Sequence, residues 1–142
     1  MKSEIKLLNL LNPLFYISET MSDAFVNPIN IEKLFCYEIA NPAALEFEPD
    51  RNFFPGTLIF SGRTAGNDKT GSPVPALKPG KYLFTQVREI LEKDEIIDLI
   101  IDVQQEGLWQ RLIPEKIYFI RYIYEDGCPV TQIFRPYSEK EL

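Results

Sequence analysis

The sequence predicts an α+β fold: an antiparallel sheet of five to six strands with one long helix packed on one face. Three observations carry that expectation. In "EKIYFIRYIYEDGCPVTQIFRPY", Asp126-Gly127 forms a two-residue type I′ hairpin turn between two runs of strong β-formers. From Val87 to Glu106 the residues Val87, Ile90, Leu91, Ile97 and Ile101 fall on one broad helical stripe. "IEKLFCYEIA" alternates Ile31, Lys33, Phe35, Tyr37 and Ile39 against Glu32, Leu34, Cys36, Glu38 and Ala40, the period of a strand.

The 142 residues suit one domain, residues 1–142, with a core of useful size. Residues 1–30 are expected to be helical: "SEIKLLNLL" sets Ile5, Leu8 and Leu11 on one face with Leu7 beside them. Pro13 limits that helix, and Ser18 or Ser22 is placed to cap a second short turn before Pro28. Residues 31–62 hold strands: Ile31–Ala40, then "NPAA" as a turn, "LEFE" as a short partner strand, and "TLIFSG" as a third. Residues 63–80 are a loop, part of a proline- and glycine-punctuated stretch from Ser61 to Gly80. A loop of that length is functional or mobile.

Residues 81–137 form a strand–helix–hairpin unit. "KYLFTQV" is its strand, with Tyr82, Phe84 and Gln86 on one face. In the helix Glu89 and Lys93 make an i,i+4 pair, and Gly107 stands where a C-terminal cap is expected. "LWQRLIPE" is a connector. The turn at Asp126-Gly127 sets the hairpin register, so that Ile123 faces Val130, Arg121 faces Gln132 and Phe119 faces Phe134. The alternate residues pair Tyr124 with Pro129, Tyr122 with Thr131, Ile120 with Ile133 and Tyr118 with Arg135.

Composition excludes several functions. The formal net charge is −6 without a basic block, whereas nucleic-acid binders present a positive stripe. No apolar run approaches the ~20 residues that span a bilayer. Glu4, Lys6 and Asn9 interrupt the apolar N-terminal patch, so a signal peptide is not expected and the cytoplasm is. There is no histidine, which removes histidine-based nucleophile pairs, acid–base work and metal sites. No cofactor is expected. Cys36 and Cys128 are expected as reduced, packed thiols. "SGRTAGNDKTG" is not a phosphate loop. Only three residues part Gly62 from Gly66, Lys69 comes too late, and the prolines that follow oppose the required helix.

The two hairpin faces differ. Phe119, Ile123, Val130 and Phe134 make an apolar face, the expected seat of the helix. Tyr118, Tyr122 and Tyr124, with Thr131 and Arg135, make the other. Rings with polar tips suit a ligand wall and attract cations; the competing reading is a half-exposed outer face of common β-formers. Arg121 and Gln132 interrupt the apolar face, and either reach water beyond the helix or line a polar spot inside, which needs full hydrogen bonding. Acidic residues along the helix read as a solvated face, and none of Glu32, Glu38, Glu46 and Glu48 is singled out by spacing.

The unit from Pro79 to Tyr137 resembles one half of the GyrI-like (gyrase-inhibitor-like) small-molecule-binding domain. "KPGKYLFTQV", the long helix, "YFIRYIYEDG" and "VTQIFRPY" carry the likeness. The resemblance implies two β-α-β-β-like halves as an alternative for the whole chain, and a concave sheet that binds amphipathic, often cationic, molecules between aromatic rings and a buried glutamate. Neither Glu115 nor Glu125 stands at an obvious match for that glutamate.

The expected function is small-molecule binding, by a sensor or scavenger, with Tyr82, Phe84, Trp109, Tyr118, Tyr122 and Tyr124 as ligand contacts and the Ser61–Gly80 loop as a lid. The ligand is a small amphipathic or cationic molecule. The alternative is a protein-interaction or assembly subunit, including a homodimer, that uses an exposed tyrosine face and a sheet edge. An enzyme ranks last.

Overall fold

The computed structural model of the protein describes residues 4–18, 32–64, 74–89 and 91–139. Among them the elements follow as β1 (Lys6–Leu10), β2 (Leu14–Ser18), β3 (Lys33–Glu38), β4 (Thr57–Thr64), β5 (Val74–Leu77), β6 (Gly80–Val87), α1 (Lys93–Trp109), β7 (Leu112–Pro114), β8 (Ile117–Glu125) and β9 (Cys128–Glu139). Short 3-10 turns at Pro42–Leu45 and Arg51–Phe53 lie between β3 and β4. The α+β class holds, with a larger sheet than five to six strands. Nine strands among the described residues form it in the order β1-β6-β9-β8-β3-β4-β2-β5, and β7 pairs with the far end of β9.

The β8–β9 hairpin is the part most directly written in the sequence. Asp126 and Gly127 both have positive φ, 52° and 77°, as a type I′ turn requires. The observed pairs are those the turn dictates, from Phe119 with Phe134 to Tyr124 with Pro129.

The N-terminal helix is not formed. Lys6–Leu10 is strand β1, paired antiparallel with β6 from Lys6 against Phe84 to Leu10 against Gly80. A helix of under three turns is marginal by itself, so the open edge of β6 decides the matter. Ser18 belongs to β2, and the second turn expected before Pro28 lies outside the described residues. "LEFE" is not a strand either: β4 and β8 occupy both edges of β3, leaving nothing for it to pair with. The Ser61–Gly80 stretch is partly sheet. Its first residues finish β4, Val74–Leu77 is β5, and residues 65–73 lie outside the described set.

Helix α1 is displaced along the chain relative to expectation. Val87 stays in β6, paired with Thr131, and the helix begins after Glu92, whose backbone N–H donates to Glu95 Oε1 at 3.1 Å in a capping box. Glu89 therefore makes no helical pair with Lys93. Gly107 does not cap the helix but lies inside it. A Cβ there would come 2.6 Å from Leu83 Cδ1, so the glycine lets α1 settle closely on β6. Among the described residues no helix is long and apolar enough to cross a membrane.

The sheet cannot be flat. β5 and β6 are joined by Lys78 and Pro79 alone, yet β9, β8, β3, β4 and β2 lie between them in the sheet. In a flat sheet those strands would be separated by roughly 29 Å, whereas a two-residue link reaches about 11 Å. The sheet therefore curls into a half-barrel. Its convex face carries α1, with Leu83, Phe35, Tyr37, Tyr118, Ile120, Tyr122 and Ile133 packed against Ile96, Ile97, Ile100 and Val103. Its concave face holds a second cluster of Tyr16, Leu34, Cys36, Leu77, Tyr82, Phe119 and Phe134.

Candidate functional site

The helix takes the face opposite to the one expected. Tyr118 and Tyr122 are 0% and 3% exposed, and they form core beneath α1 instead of an open wall. Tyr118 stacks on Tyr37 with ring centroids 5.7 Å apart, and its hydroxyl donates to the Pro55 carbonyl. Tyr122 meets Phe35 edge-on at 6.1 Å. Tyr124 shares their face by alternation and is half-buried near the hairpin turn. Trp109 is 76% exposed at the end of α1. Tyr82 and Phe84 lie on the concave face against Phe134. The six expected contacts are thus divided among two sheet faces and a helix end. The reason is that both hairpin faces carry large apolar surface, so alternation alone does not choose between them.

The concave face is built in three rungs across β3, β8, β9 and β6. Glu38, Ile117, Pro136 and Tyr82 form one end; Cys36, Phe119, Phe134 and Phe84 the middle; Leu34, Arg121, Gln132 and Gln86 the other end. Rungs two residues apart are about 7 Å apart along the strands. The first rung and the outer side of the middle one border a cavity of about 580 Å³, closed at the side by Pro75 and Ala76 of β5 and by Phe60 of β4. Phe119 is its hub, with Phe60 at 6.2 Å and Tyr82 at 6.5 Å between ring centroids. Sequence reasoning placed only Tyr82 here. Phe119 was missed because its face was expected to carry the helix, and Phe60 and Ile117 because nothing within their own strands singles them out.

The polar groups of the cavity are arranged unequally. The Tyr82 hydroxyl is tied down, donating to the Lys78 carbonyl at 2.6 Å. Burial raises its pKa, with a further push from Glu115. Cys36 lies on the floor, where burial and then Glu38 push its thiol up to about 12; at neutral pH it is no thiolate nucleophile. Both thiols are free, Cys36 buried and Cys128 exposed, so only Cys36 is packed as expected. The rim carries Glu38, Glu115, Lys78 and Lys81, of which Lys81 holds Glu139 at 3.0 Å. The cavity thus presents aromatic rings inside and charges of both signs at its mouth.

At the opposite end, Arg121 and Gln132 take the inward option. Arg121 Nε donates to Glu32 Oε1 at 2.6 Å and Nη1 to Gln132 Oε1 at 3.2 Å. Gln132 Nε2 donates to Gln86 Oε1 at 3.0 Å, and the Tyr16 hydroxyl donates to Glu32 Oε1 at 2.8 Å. This hydrogen-bonded chain occupies the end of the concave face remote from the cavity. The Arg121–Gln132 pair is legible from the turn, but Glu32 and Tyr16 reach it only through the tertiary fold. Among the described residues no group of three Cys, Asp or Glu side chains is placed to hold a metal ion.

Comparison of the chain with protein-family models, with curated proteins and with solved structures gives no match in any of the three.

Proposed function

We propose that this protein is a small-molecule-binding module whose ligand sits in the concave cavity between β3, β4, β5, β6 and β8. The carrying observation is the cavity itself: about 580 Å³, lined by the rings of Phe60, Phe119 and Tyr82, within the 300–1,000 Å³ range usual for ligand sites. An apolar or aromatic body seated on those rings, with a charged or polar end at the Glu38–Lys78 rim, describes the ligand class: a small amphipathic molecule, cations included. The GyrI-like resemblance of the β6–α1–β8–β9 succession favours the same reading. β5, the described end of the stretch expected as a lid, is a strand paired with β2, and its Pro75 and Ala76 line the cavity directly.

Thermal unfolding against a panel of amphipathic cations, anions and neutral aromatics tests it. A ligand at a hundred times its dissociation constant stabilises the fold by about 2.7 kcal/mol. The shift is expected to disappear in Ala76→Trp, which fills the cavity, and its charge preference to change in Lys78→Glu. A shift that survives Ala76→Trp would place the ligand elsewhere, and no shift with any class would end this reading.

A further inference from the structure

A second groove, of about 470 Å³, lies on the helix side of the sheet and is independent of the cavity above. Asp102, Gln105, Glu106 and Trp109 recur at i, i+3, i+4 and i+7, one stripe of α1 beside the stripe that packs on the sheet. Phe47 faces this stripe from the segment after β3. Trp109 and Phe47 are 76% and 46% exposed, so the groove presents two open rings.

The backbone around Phe47 is tied to α1 by two hydrogen bonds. Gln105 Nε2 donates to the Phe47 carbonyl at 2.9 Å, and Gln104 Nε2 donates to the Glu46 carbonyl at 2.5 Å. Gln104 is fully buried, and its Oε1 accepts from Nη1 of Arg135 at 3.3 Å. Arg135, also fully buried, donates through Nε to the Glu115 carbonyl at 2.6 Å. The buried Arg135–Gln104 pair thus anchors the Glu46 carbonyl and Gln105 the Phe47 carbonyl, so backbone contacts to α1 set the segment that carries the exposed Phe47 ring beside the Trp109 stripe.

The charged side chains lining this groove, among the described residues, are Glu4, Asp102 and Glu106, all acidic. Aromatic faces attract cations through the ring quadrupole, and nearby carboxylates add to that attraction. From this complementarity we infer that the groove docks a basic segment of a partner protein, with a lysine or arginine side chain laid between Trp109 and Phe47. Gln104 and Arg135 are positioning residues.

Trp109 is the single tryptophan of the chain, so its fluorescence reports on the groove directly. The full-length protein is titrated with a lysine- and arginine-rich peptide, a glutamate-rich peptide of equal length, a serine–glycine peptide and butylammonium. A saturable change is expected with the basic peptide alone, weakened by added salt. Phe47→Ala and the pair Glu4→Gln with Glu106→Gln are each expected to weaken it at least tenfold while leaving the melting temperature unchanged. Lys78→Glu, at the concave cavity, is expected to leave it intact, so failure here is separable from failure of the proposed ligand site. No change with the basic peptide, or an equal change with the serine–glycine peptide, overturns the proposal. So does butylammonium binding as tightly as the peptide, which would make this a small-amine site.

Discussion

Arg121 and Gln132 stand directly opposite one another on β8 and β9, joined by a 3.2 Å hydrogen bond at the centre of a polar chain that runs from Tyr16 through Glu32 to Gln86. The Arg121 and Glu32 side chains are 20% and 24% exposed, so solvent screens the pair only in part. Removing either partner leaves a poorly solvated charge. Arg121→Gln and Glu32→Gln are each expected to cost about 1–3 kcal/mol in denaturant unfolding. The double mutant should show a coupling of about 1 kcal/mol or more. A coupling near zero would mean the pair behaves like an open surface ion pair.

Gly56 and Gly127 both have positive φ, 93° and 77°, but their surroundings differ. A Cβ on Gly56 would lie 2.3 Å from the Glu38 carbonyl oxygen, whereas one on Gly127 would meet nothing within 4 Å. Gly127→Ala is expected to cost about 1 kcal/mol from backbone strain alone. Gly56→Ala adds a clash with backbone and is expected to cost more than about 2 kcal/mol. Equal costs by urea unfolding would show that the β3–Gly56 contact gives way without resistance.

Alkali is expected to destabilise the fold steeply. Burial is the main cause raising the pKa of Tyr16, Tyr118 and Cys36 above the ordinary values of 10.0 for the phenols and 9.0 for the thiol. Above pH 9 the unfolded chain loses these protons while the folded chain keeps them. Stability is therefore complete below pH 9 and falls as pH rises, by about 1.4 kcal/mol per pH unit for each group in its window. Urea midpoints from pH 7 to 11 measure this, and Tyr118→Phe is expected to flatten the fall. Constant stability up to pH 11 would contradict the burial of these groups.

The two cysteines are expected to react at very different rates. Cys128 is exposed beside the hairpin turn, and Cys36 is buried with its thiol raised to about 12. An aromatic disulfide reagent at pH 8 should therefore titrate one thiol in the native protein and two in denaturant. Two rapidly reacting native thiols would mean that the concave floor is open.

The legible and illegible parts of this molecule divide by the range of the interactions. The Asp126-Gly127 turn, the pairs that follow from it and the strand around Tyr82 rest on neighbours in sequence, and the structure has them as read. Tyr118 and Tyr122 were misplaced because Phe119 and Phe134 compete with them for the helix on nearly equal apolar terms. Trp109 was drawn into the same site by its ring alone. Lys6–Leu10 looked helical in isolation and became a strand because β6 offered it an unpaired edge.

What the sequence by itself determined is the α+β class, the existence of one long helix, the closing hairpin and its register. Turn chemistry and short-period patterning act locally and need no partner to be named. Only the tertiary structure decided the number of strands, the face on which α1 rests and the place of the cavity. Those follow from which edges remained open and from the two-residue Lys78–Pro79 link that forces β5 back towards β6. Such closure depends on residues far apart in the chain, and pattern within any one segment carries no record of it.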